Sequence, residues 1–261
     1  MGEAIFGKVV INGRIKLKTG LHIGAQTEAI EIGGLDNPIL KDPNTGKPYI
    51  PGSSLKGKMR SLFEKSMSAE QPQDKRGCGE DKWFNRKIGD VCIHACKTLE
   101  DAVKCPVCRL FGISGKERGD KNYPSRTIFR DAHLCNEETL DEVIEIKYET
   151  AIDRITSAAN PRPMERVVPG AEFEFEIIYN IENENEKEED IKNLINLMKM
   201  LEDDYLGGSG SRGYGKVEFR ITRVVERPKD YYLKDVDEKE LLNSEEGLRP
   251  EKALEQILGA L

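Results

Sequence analysis

The order in which hydrophobic periodicities follow one another constrains the fold of this chain most. Apolar residues recur with period two in some segments, as strands require, and with helical spacing in others. The segments that predict strands are 5–18, 126–132, 141–150, 173–179 and 217–221, and those that predict helices are 53–66 and 188–205. When the interruption after the first helix is left out, and the segment 141–150 is set aside with the hairpin that follows it, the order is strand, helix, strand, strand, helix, strand. We therefore expect an α+β fold with a ferredoxin-like βαββαβ core, a modified form of the plan used by RNA-recognition modules and many unrelated proteins.

Two segments depart from this rhythm and indicate additions to the core, which we expect to comprise 1–66 and 126–225. Residues 67–125 are rich in glycine and proline and hold all the cysteines except Cys135, so they are interpreted as an insertion. Residues 150–170 have no clean period and place arginines between apolar side chains, which favours an extended hairpin over the alternative of a disordered loop. The tail, 226–261, holds ten acidic and six basic residues and is expected to end in a short helix near 250–260.

Composition excludes some classes of protein. Charged residues make up 33% of the chain, and it contains no apolar run of about 18 residues, so we expect no membrane span. The first ten residues do not form a basic and then apolar leader, so we expect a protein that is not secreted and resides in the cytoplasm.

The uneven distribution of charge bears on nucleic-acid binding. The net charge of −7 argues against it when taken alone. Residues 1–66, however, hold ten Lys or Arg against six Asp or Glu, whereas residues 181–205 hold nine acidic against three basic residues. This division is compatible with a basic groove on one face and an acidic surface elsewhere, and equally with charges mixed over a solvated surface.

A cysteine–histidine cluster in the insertion predicts a metal site. Cys105-Pro-Val-Cys108 is a CxxC knuckle, and His94 and Cys96 lie nine or more residues upstream at an i, i+2 spacing that suits extended chain. Three sulfurs and one nitrogen form a closed tetrahedral set for structural Zn²⁺. Cys92 or Cys78 is an alternative ligand. A disulfide framework is less favoured in a chain without an export signal, and a thioredoxin-like motif lacks its strand–helix context.

Two segments have the chemistry of phosphate binding. Ser53 is the expected N-cap of the first helix, whose start would expose N–H groups beside Lys56, Lys58 and Arg60. The second segment is the loop 207–216, GGSGSRGYGK, whose five glycines let a backbone approach a ligand closely. It is neither a Walker loop nor a Rossmann fingerprint. Each segment alone is weak evidence, since a capped surface helix and a glycine-rich turn are both common.

Six sequence blocks, in this order, resemble one known family. They are IGGLDNPILKD (32–42), PGSSLKGKMRSLFE (51–64), CPVCRLFG (105–112), IFRDA (128–132), ETAIDRITSAANPRPMERV (149–167) and YLGGSGSRGYGKV (205–217). Together they resemble the repeated backbone subunit of type III-A CRISPR–Cas (Csm) effector complexes, in the Cas7-like branch of the RAMP superfamily. The resemblance spans roughly residues 5–225 and leaves out the acidic tail.

The resemblance implies a function and a set of partners. Copies of such a subunit stack into a helical filament along the CRISPR RNA, together with the other subunits of the complex. A ferredoxin-like palm holds the guide, and a thumb-like hairpin, here about 150–170, kinks its duplex with target RNA at six-nucleotide intervals. The residues expected to bind RNA are His22, Ser53, Ser54, Lys56, Lys58, Arg60, Arg154, Arg162, Arg166, Ser209, Ser211, Arg212, Tyr214 and Lys216.

The resemblance also implies that Asp36 cleaves the target RNA beside each kink, with Mg²⁺ or another divalent cation. The chemistry agrees with this role, because RNA carries its own 2′-OH nucleophile and one carboxylate can act as general base or metal ligand. Without the resemblance, a turn-stabilising role beside Asn37 and Pro38 would be favoured. The rival functions are a non-catalytic guide-binding scaffold of a related complex and an endonuclease that processes the CRISPR precursor.

Overall fold

A computed structural model describes residues 6–25, 38–114 and 122–261. The strands in this part of the chain are β1 (Gly7–Leu17), β2 (Tyr49–Ile50), β3 (Arg86–Ile88), β4 (Val91–Ile93), β5 (Thr127–Phe129), β6 (Ala132–Leu134), β7 (Ile144–Ile152), β8 (Ala159–Val167), β9 (Glu172–Ile181), β10 (Val217–Pro228) and β11 (Lys239–Leu248). The helices are α1 (Gly52–Ala69), α2 (Leu99–Lys104), α3 (Pro106–Phe111), α4 (Glu184–Asp203), α5 (Lys229–Leu233) and α6 (Pro250–Ala260).

One antiparallel sheet carries the fold. Its strand order is β11-β10-β1-β9-β6-β2, and β5 also pairs with β9. The central strand β1 is paired along its length on both sides, so that Ile15 lies opposite Phe219 of β10 and Phe173 of β9. All three side chains are fully buried, which fixes the register, since a slip by one residue would turn them to the other face.

The long helices cover the apolar face of this sheet. The apolar stripe of α4 is buried completely, and the helix contacts β9, β10, α1 and α6. Leu55 and Met59 of α1 are buried in the same core. Helical spacing of apolar residues therefore predicted which faces of α1 and α4 point inward.

The opposite face of β1 carries cations that alternate along the strand with its buried residues. Arg14 lies opposite Glu174 in β9, and Lys16 lies opposite Glu172 in β9 and Glu218 in β10. The Nζ atom of Lys16 is 2.9 Å from the Glu172 carboxylate. This face is a mixed-charge surface rather than a basic one.

Two local predictions are wrong. The helix α1 begins at Gly52 after Pro51, so Ser53 is not its N-cap but an exposed residue of the first turn. The Gly52 N–H donates instead to the carboxylate of Asp131, at 2.8 Å. The predicted strand 126–132 is broken into β5 and β6, and Asp131 lies in the break where it caps α1.

The predicted hairpin is present. Strands β7 and β8 form a separate two-stranded sheet with a continuous register from Ile144–Val167 to Ile152–Ala159. The alternative of a disordered loop is therefore excluded for this segment. The strands begin before residue 150, since the segment predicted as the strand 141–150 forms most of the first arm.

Parts of the insertion and of the tail pack against the main sheet and its core. Val107, Leu110 and Phe111 of α3 join the main core, while β3 and β4 form their own small hairpin. The strand predicted as the last, β10, extends to Pro228 and is followed by β11, which adds an edge to the sheet. The predicted C-terminal helix is α6, and its Ala253 and Ile257 are fully buried.

Within the described ranges, no helix has the length and hydropathy needed to cross a membrane.

A buried ion network joins the insertion to the sheet and its helices. Asp190 of α4 is fully buried and accepts hydrogen bonds from Arg109 of α3 (2.6 and 2.9 Å) and from the Tyr179 hydroxyl (2.8 Å). Arg126, next to β5, places Nη1 3.4 Å from the same carboxylate. Both guanidinium groups are at least 97% buried, so each depends on its carboxylate partners for the hydrogen bonds that water would otherwise supply.

We expect Asp190→Ala to lower the free energy of unfolding by about 3–5 kcal/mol, because it leaves buried guanidinium groups uncompensated. Urea denaturation followed by circular dichroism measures this loss. Glu189→Ala is the matched control, since Glu189 also pairs with Arg109 (2.9 Å) but its side chain is 60% exposed. We expect the control to cost at most about 1 kcal/mol, and equal losses in the two variants would contradict the assignment.

Candidate nucleic-acid interface and metal centre

A cleft of about 780 Å³ lies between the β7–β8 hairpin and the glycine-rich loop 207–216. Its lining combines cations, one carboxylate and small polar groups with the edges of apolar side chains. The lining residues are His22, Lys147, Tyr148, Glu149, Thr150, Ala151, Arg162, Pro163, Met164, Ser209 and Arg212. Four residues predicted from the sequence to bind RNA are thus brought together: His22, Arg162, Ser209 and Arg212.

Close backbone approach explains the glycines of the loop. Gly215 has φ +74°, and a Cβ atom there would lie 2.0 Å from the Leu206 carbonyl oxygen. Gly207 has φ +76°, and its Cβ would lie 2.4 Å from the carbonyl oxygen of His22, which accepts the Gly208 N–H at 2.8 Å. Any other residue would force these backbones apart, so the glycines hold the loop against the segment that carries His22.

An ion pair crosses the cleft from the hairpin to the loop. Arg212 Nη1 lies 2.6 Å from the Glu149 carboxylate, and the Arg212 side chain is 65% exposed. Lys147 and Glu149 were not singled out from the sequence, although the period-two pattern of their strand places both on one face. That alternation predicts a strand, and it is also the signal that places these two side chains together.

The tip of the hairpin presents an apolar side chain to solvent. The Asp153 carboxylate accepts the N–H groups of Ile155 (2.9 Å) and Thr156 (2.7 Å), which closes the turn. The N–H and hydroxyl of Thr156 and the Ile155 N–H together lower the pKa of Asp153. Ile155 is 93% exposed, and Arg154 beside it is exposed too. The turn therefore holds an aliphatic wedge and a cation outward.

Two predicted contact residues at the cleft have other partners. Tyr214, one of the residues expected to bind RNA, is 1% exposed. Lys147 Nζ lies 4.9 Å and the Arg166 guanidinium carbon 5.0 Å from its ring centroid. The Arg166 side chain is also bound to Glu145 at 2.8 Å. Tyr214 thus packs under Lys147, a cation of the cleft, and under Arg166, and its own ring is not open for base stacking.

A second groove, of about 370 Å³, is lined in part by Ser211 and Lys216 of the same loop. Lys58 of α1 lies beside this groove, since its Nζ is 3.1 Å from Asp204 and 3.7 Å from the centroid of the Tyr205 ring, and both residues line it. The helix α1 therefore contributes a cation to the second groove.

The remaining predicted residues of α1 are partly engaged inside the protein. Ser53 and Ser54 lie in the first turn, where Ser53 is exposed. Lys56 donates to the Ser125 hydroxyl at 2.9 Å, and burial together with the nearby charge of Arg60 lowers the pKa of Lys56. Arg60 donates to the carbonyl groups of His94 (2.9 Å) and Gly112 (3.1 Å) and to Glu64 (2.7 Å). The guanidinium of Arg60 thus links α1 to the insertion.

Asp36, the expected catalytic residue, lies outside the described residues. The chain on either side of it is described and meets at an antiparallel bridge between Gly24 and Ile39. The Ala25 N–H donates to the Pro38 carbonyl at 3.0 Å. Gly24 of this bridge follows His22, which lines the cleft, by two residues.

The predicted metal ligands converge in the insertion. One donor atom from each of His94, Cys96, Cys105 and Cys108 lies within 4.8 Å of the others. His94 Nε2 is 3.5 Å from the Cys96 sulfur and 3.4 Å from the Cys105 sulfur. A tetrahedral ion with metal–sulfur bonds of about 2.3 Å has ligand atoms about 3.8 Å apart. The four residues therefore form a group that fits a metal ion.

The surroundings orient this group. His94 Nδ1–H donates to the Trp83 carbonyl at 2.9 Å, which turns Nε2 toward the sulfurs, and the Trp83 ring stacks on the imidazole at 3.8 Å. The Cys96 N–H donates to the Cys108 sulfur at 3.4 Å. Hydrogen bonds from Cys108 and Cys96 lower the pKa of Cys105. Burial opposes the charged form of His94, but hydrogen bonds with Cys105 and Cys108 outweigh it and raise its pKa to about 10. The hydrogen bonds with Cys105 and Cys108 raise the pKa of Cys96, so thiolate character lies on Cys105, where it suits a cation.

The two alternative ligands are bonded to each other. Cys78 and Cys92 form a disulfide that closes a 14-residue separation, with Cα atoms 6.0 Å apart. Neither replaces a member of the four-residue group, whose cysteines are free, as is the exposed Cys135. The sequence argument against disulfides was therefore wrong for this pair, although it holds for the predicted ligands.

Comparison with known proteins identifies the family. A family model described as the RAMP superfamily matches residues 14–218. The "CRISPR system Cms endoribonuclease Csm3" of Methanocaldococcus jannaschii is 41% identical over 261 residues, which cover 98% of this chain and 96% of that protein.

Solved structures agree with this result. The crystal structure of Methanopyrus kandleri Csm3 superposes with a TM-score of 0.67 and 29% identity, covering 99% of each chain. A chain of the Csm3–Csm4 subcomplex of the type III-A CRISPR–Cas interference complex gives a TM-score of 0.58 and 31% identity, covering 99% of this chain and 98% of that one. The mixed α/β fold is thus a RAMP fold, and the chain belongs to the RAMP superfamily and, within it, to the family of the Csm3 proteins.

Proposed function

We propose that this chain is the repeated backbone subunit of a type III-A CRISPR effector complex, an endoribonuclease that binds CRISPR RNA and cleaves complementary target RNA at six-nucleotide intervals in antiviral defence. The observation that carries the proposal is the cleft between the β7–β8 hairpin and the loop 207–216, which collects His22, Arg162, Ser209 and Arg212 in a chain of the Csm3 family. Its partners are CRISPR RNA, target RNA, further copies of itself in a helical filament and the other subunits of the complex, all in the cytoplasm.

The sheet and its two long helices form the palm. The strand order β10-β1-β9 followed by β5 and β6, with α1 and α4 on one face, is the order of a ferredoxin-like βαββαβ core. The loop 207–216 connects α4 to β10 and so lies at an end of this sheet. We assign the guide RNA to the two sides of that loop, where the exposed Arg162, Arg212 and Lys216 are available to phosphates.

The β7–β8 hairpin is the thumb. Its tip projects Ile155, which is 93% exposed. The apolar surface of this side chain can leave water only by contact with another apolar group. Insertion of an apolar side chain between bases unstacks them and bends the duplex. Ile155 is therefore the wedge of the proposed kink, and Arg154 beside it neutralises phosphate charge there.

Asp36 is the proposed catalytic residue. Its carboxylate would take the proton of a target 2′-OH or hold a divalent cation such as Mg²⁺, which would polarise the phosphate when bound. One carboxylate supplies few of the oxygen ligands that Mg²⁺ requires, so the RNA phosphates would supply others. This explains why cleavage would need the assembled complex with its target RNA.

We expect Asp36→Ala to abolish target cleavage in the assembled complex and to leave RNA affinity unchanged, because one carboxylate contributes to the reaction and not to phosphate binding. Cleavage is followed on labelled target RNA, and affinity by filter binding. Asp42→Ala is the matched control, an aspartate of the same segment whose carboxylate accepts the N–H groups of Asn44 and Thr45 in an exposed turn. Cleavage by Asp36→Ala at six-nucleotide steps would favour the non-catalytic scaffold instead.

Arg162→Ala should weaken RNA binding by a similar factor for unrelated sequences and reduce the slope of log affinity against log salt by about 1, because it removes one phosphate contact. Fluorescence anisotropy with single-stranded RNA probes at several salt concentrations measures both quantities. The control is Lys252→Ala, which removes an exposed cation from α6, remote in sequence from the cleft. A loss confined to one RNA sequence, or the same loss in the control, would count against the phosphate role.

The metal group is proposed to hold structural Zn²⁺, since three sulfurs and one nitrogen close a tetrahedral shell. We expect Cys105→Ser to reduce bound zinc from about one ion per chain to nearly none, as measured by elemental analysis of purified protein. Cys135→Ser, which removes the exposed free cysteine elsewhere in the chain, should keep its zinc. Full retention of zinc in Cys105→Ser would refute this ligand set.

A further inference from the structure

Glu165, at the base of the thumb in β8, is a buried carboxylate with two partners from one distant segment. The residue is 6% exposed. Its Oε2 accepts the backbone N–H of Ile39 at 2.8 Å, and its Oε1 lies 2.7 Å from Lys41 Nζ. A carboxylate is removed from water only where such charge-assisted bonds replace its hydration. The segment 38–41 is therefore tied to β8 through this one side chain.

The backbone of β8 contacts the second of the two chain segments that form the Gly24–Ile39 bridge. Leu21 and Val167 exchange both backbone hydrogen bonds, at 3.0 and 2.8 Å, and His22 Nδ1–H donates to the Glu165 carbonyl at 2.8 Å. The segment that follows His22 then pairs with 38–41, since Leu40 N–H donates to the Ile23 carbonyl at 2.8 Å. Strand β8 thus contacts both chain segments of the Gly24–Ile39 bridge. Its main chain pairs with the segment that contains Leu21, and its Glu165 side chain binds the segment 38–41.

We infer that Glu165 is a positioning residue for target-RNA cleavage: it fixes the described segment 38–41, which begins two residues after Asp36, relative to the thumb that bends the RNA. The inference rests on the proposed assignment of cleavage to Asp36. In-line attack on a phosphate tolerates little displacement of the assisting group, and an error of about 1 Å costs on the order of 100-fold in rate. Loss of the carboxylate would leave the Ile39 N–H and the Lys41 ammonium without this partner and release the segment from the thumb.

The test compares Glu165→Ala and Glu165→Gln in the assembled effector complex, with the single-turnover rate at saturating target RNA and the target Kd measured separately. We expect Glu165→Ala to lower the rate about 10- to 100-fold with the Kd unchanged. Glu165→Gln should restore part of the rate, because its amide oxygen still accepts the Ile39 N–H although it cannot neutralise Lys41. A purely structural role would instead lower binding and rate together.

Glu137→Ala is the matched control. Glu137 pairs with Lys47, further along the same segment, but both side chains are close to half exposed, so the rate and Kd should stay at the wild-type values. A wild-type rate in Glu165→Ala, or a parallel loss of binding and cleavage, would overturn the inference. Should Glu165→Ala fail to assemble, Glu165→Gln decides: a reduced rate at unchanged Kd supports positioning, and a wild-type rate refutes it.

Parallel measurement of Asp36→Ala separates this inference from the proposed function. If Asp36→Ala is inactive and Glu165→Ala cleaves normally, the catalytic assignment stands and the positioning role fails. If Asp36→Ala cleaves normally while Glu165→Ala is slow at unchanged Kd, Asp36 is not the catalytic residue, and Glu165 positions a different group.

Discussion

The buried carboxylate of Asp190 holds together parts of the chain that would otherwise be separate modules. It binds Arg109 of the insertion, 81 residues away in sequence, and lies beside Arg126 at the start of β5. A buried charge network of this kind adds little net stability over an apolar core, but it permits few alternative arrangements, because any shift leaves a charge unpaired. The insertion that carries the metal group is consequently docked in one orientation on α4, the helix that leads into the glycine-rich loop.

Most of the fold was predictable because its central elements are strongly periodic. The buried stripes of α1 and α4 and the alternation in β9 follow from burial on one face of each element. The strand β11 was missed because KELLNSEEGL does not alternate, and its pairing with β10 is interrupted by register shifts. The start of α1 was missed for a different reason. Its first N–H is capped by Asp131, 79 residues further along the chain, and no local pattern encodes such a partner.

The sequence predicted which types of residue form the site better than it predicted the tertiary contacts of those residues. Spacing alone predicted four residues that converge into a group able to hold a metal ion, since a CxxC knuckle and an i, i+2 pair restrict where donor atoms can point. The same reasoning could not distinguish a cation that faces solvent, such as Arg212, from Arg60, whose guanidinium is bound to two carbonyl groups and a carboxylate. Composition near a helix start predicts basic character, whereas tertiary contacts decide whether a charge remains available to RNA.

The described chain from Pro38 to Arg60 has different partners at its two ends. Near its N-terminal end, Ile39 and Lys41 are bound to Glu165 of β8. Its C-terminal end, in α1, is bound through Arg60 to the insertion and through Lys58 to the end of α4. Under the proposed function, the chain that leads from Asp36 is thus tied to the same hairpin that would bend the duplex. Because bending and cleavage would then depend on one strand, a target that does not bend over the hairpin would not meet the proposed catalytic carboxylate in register.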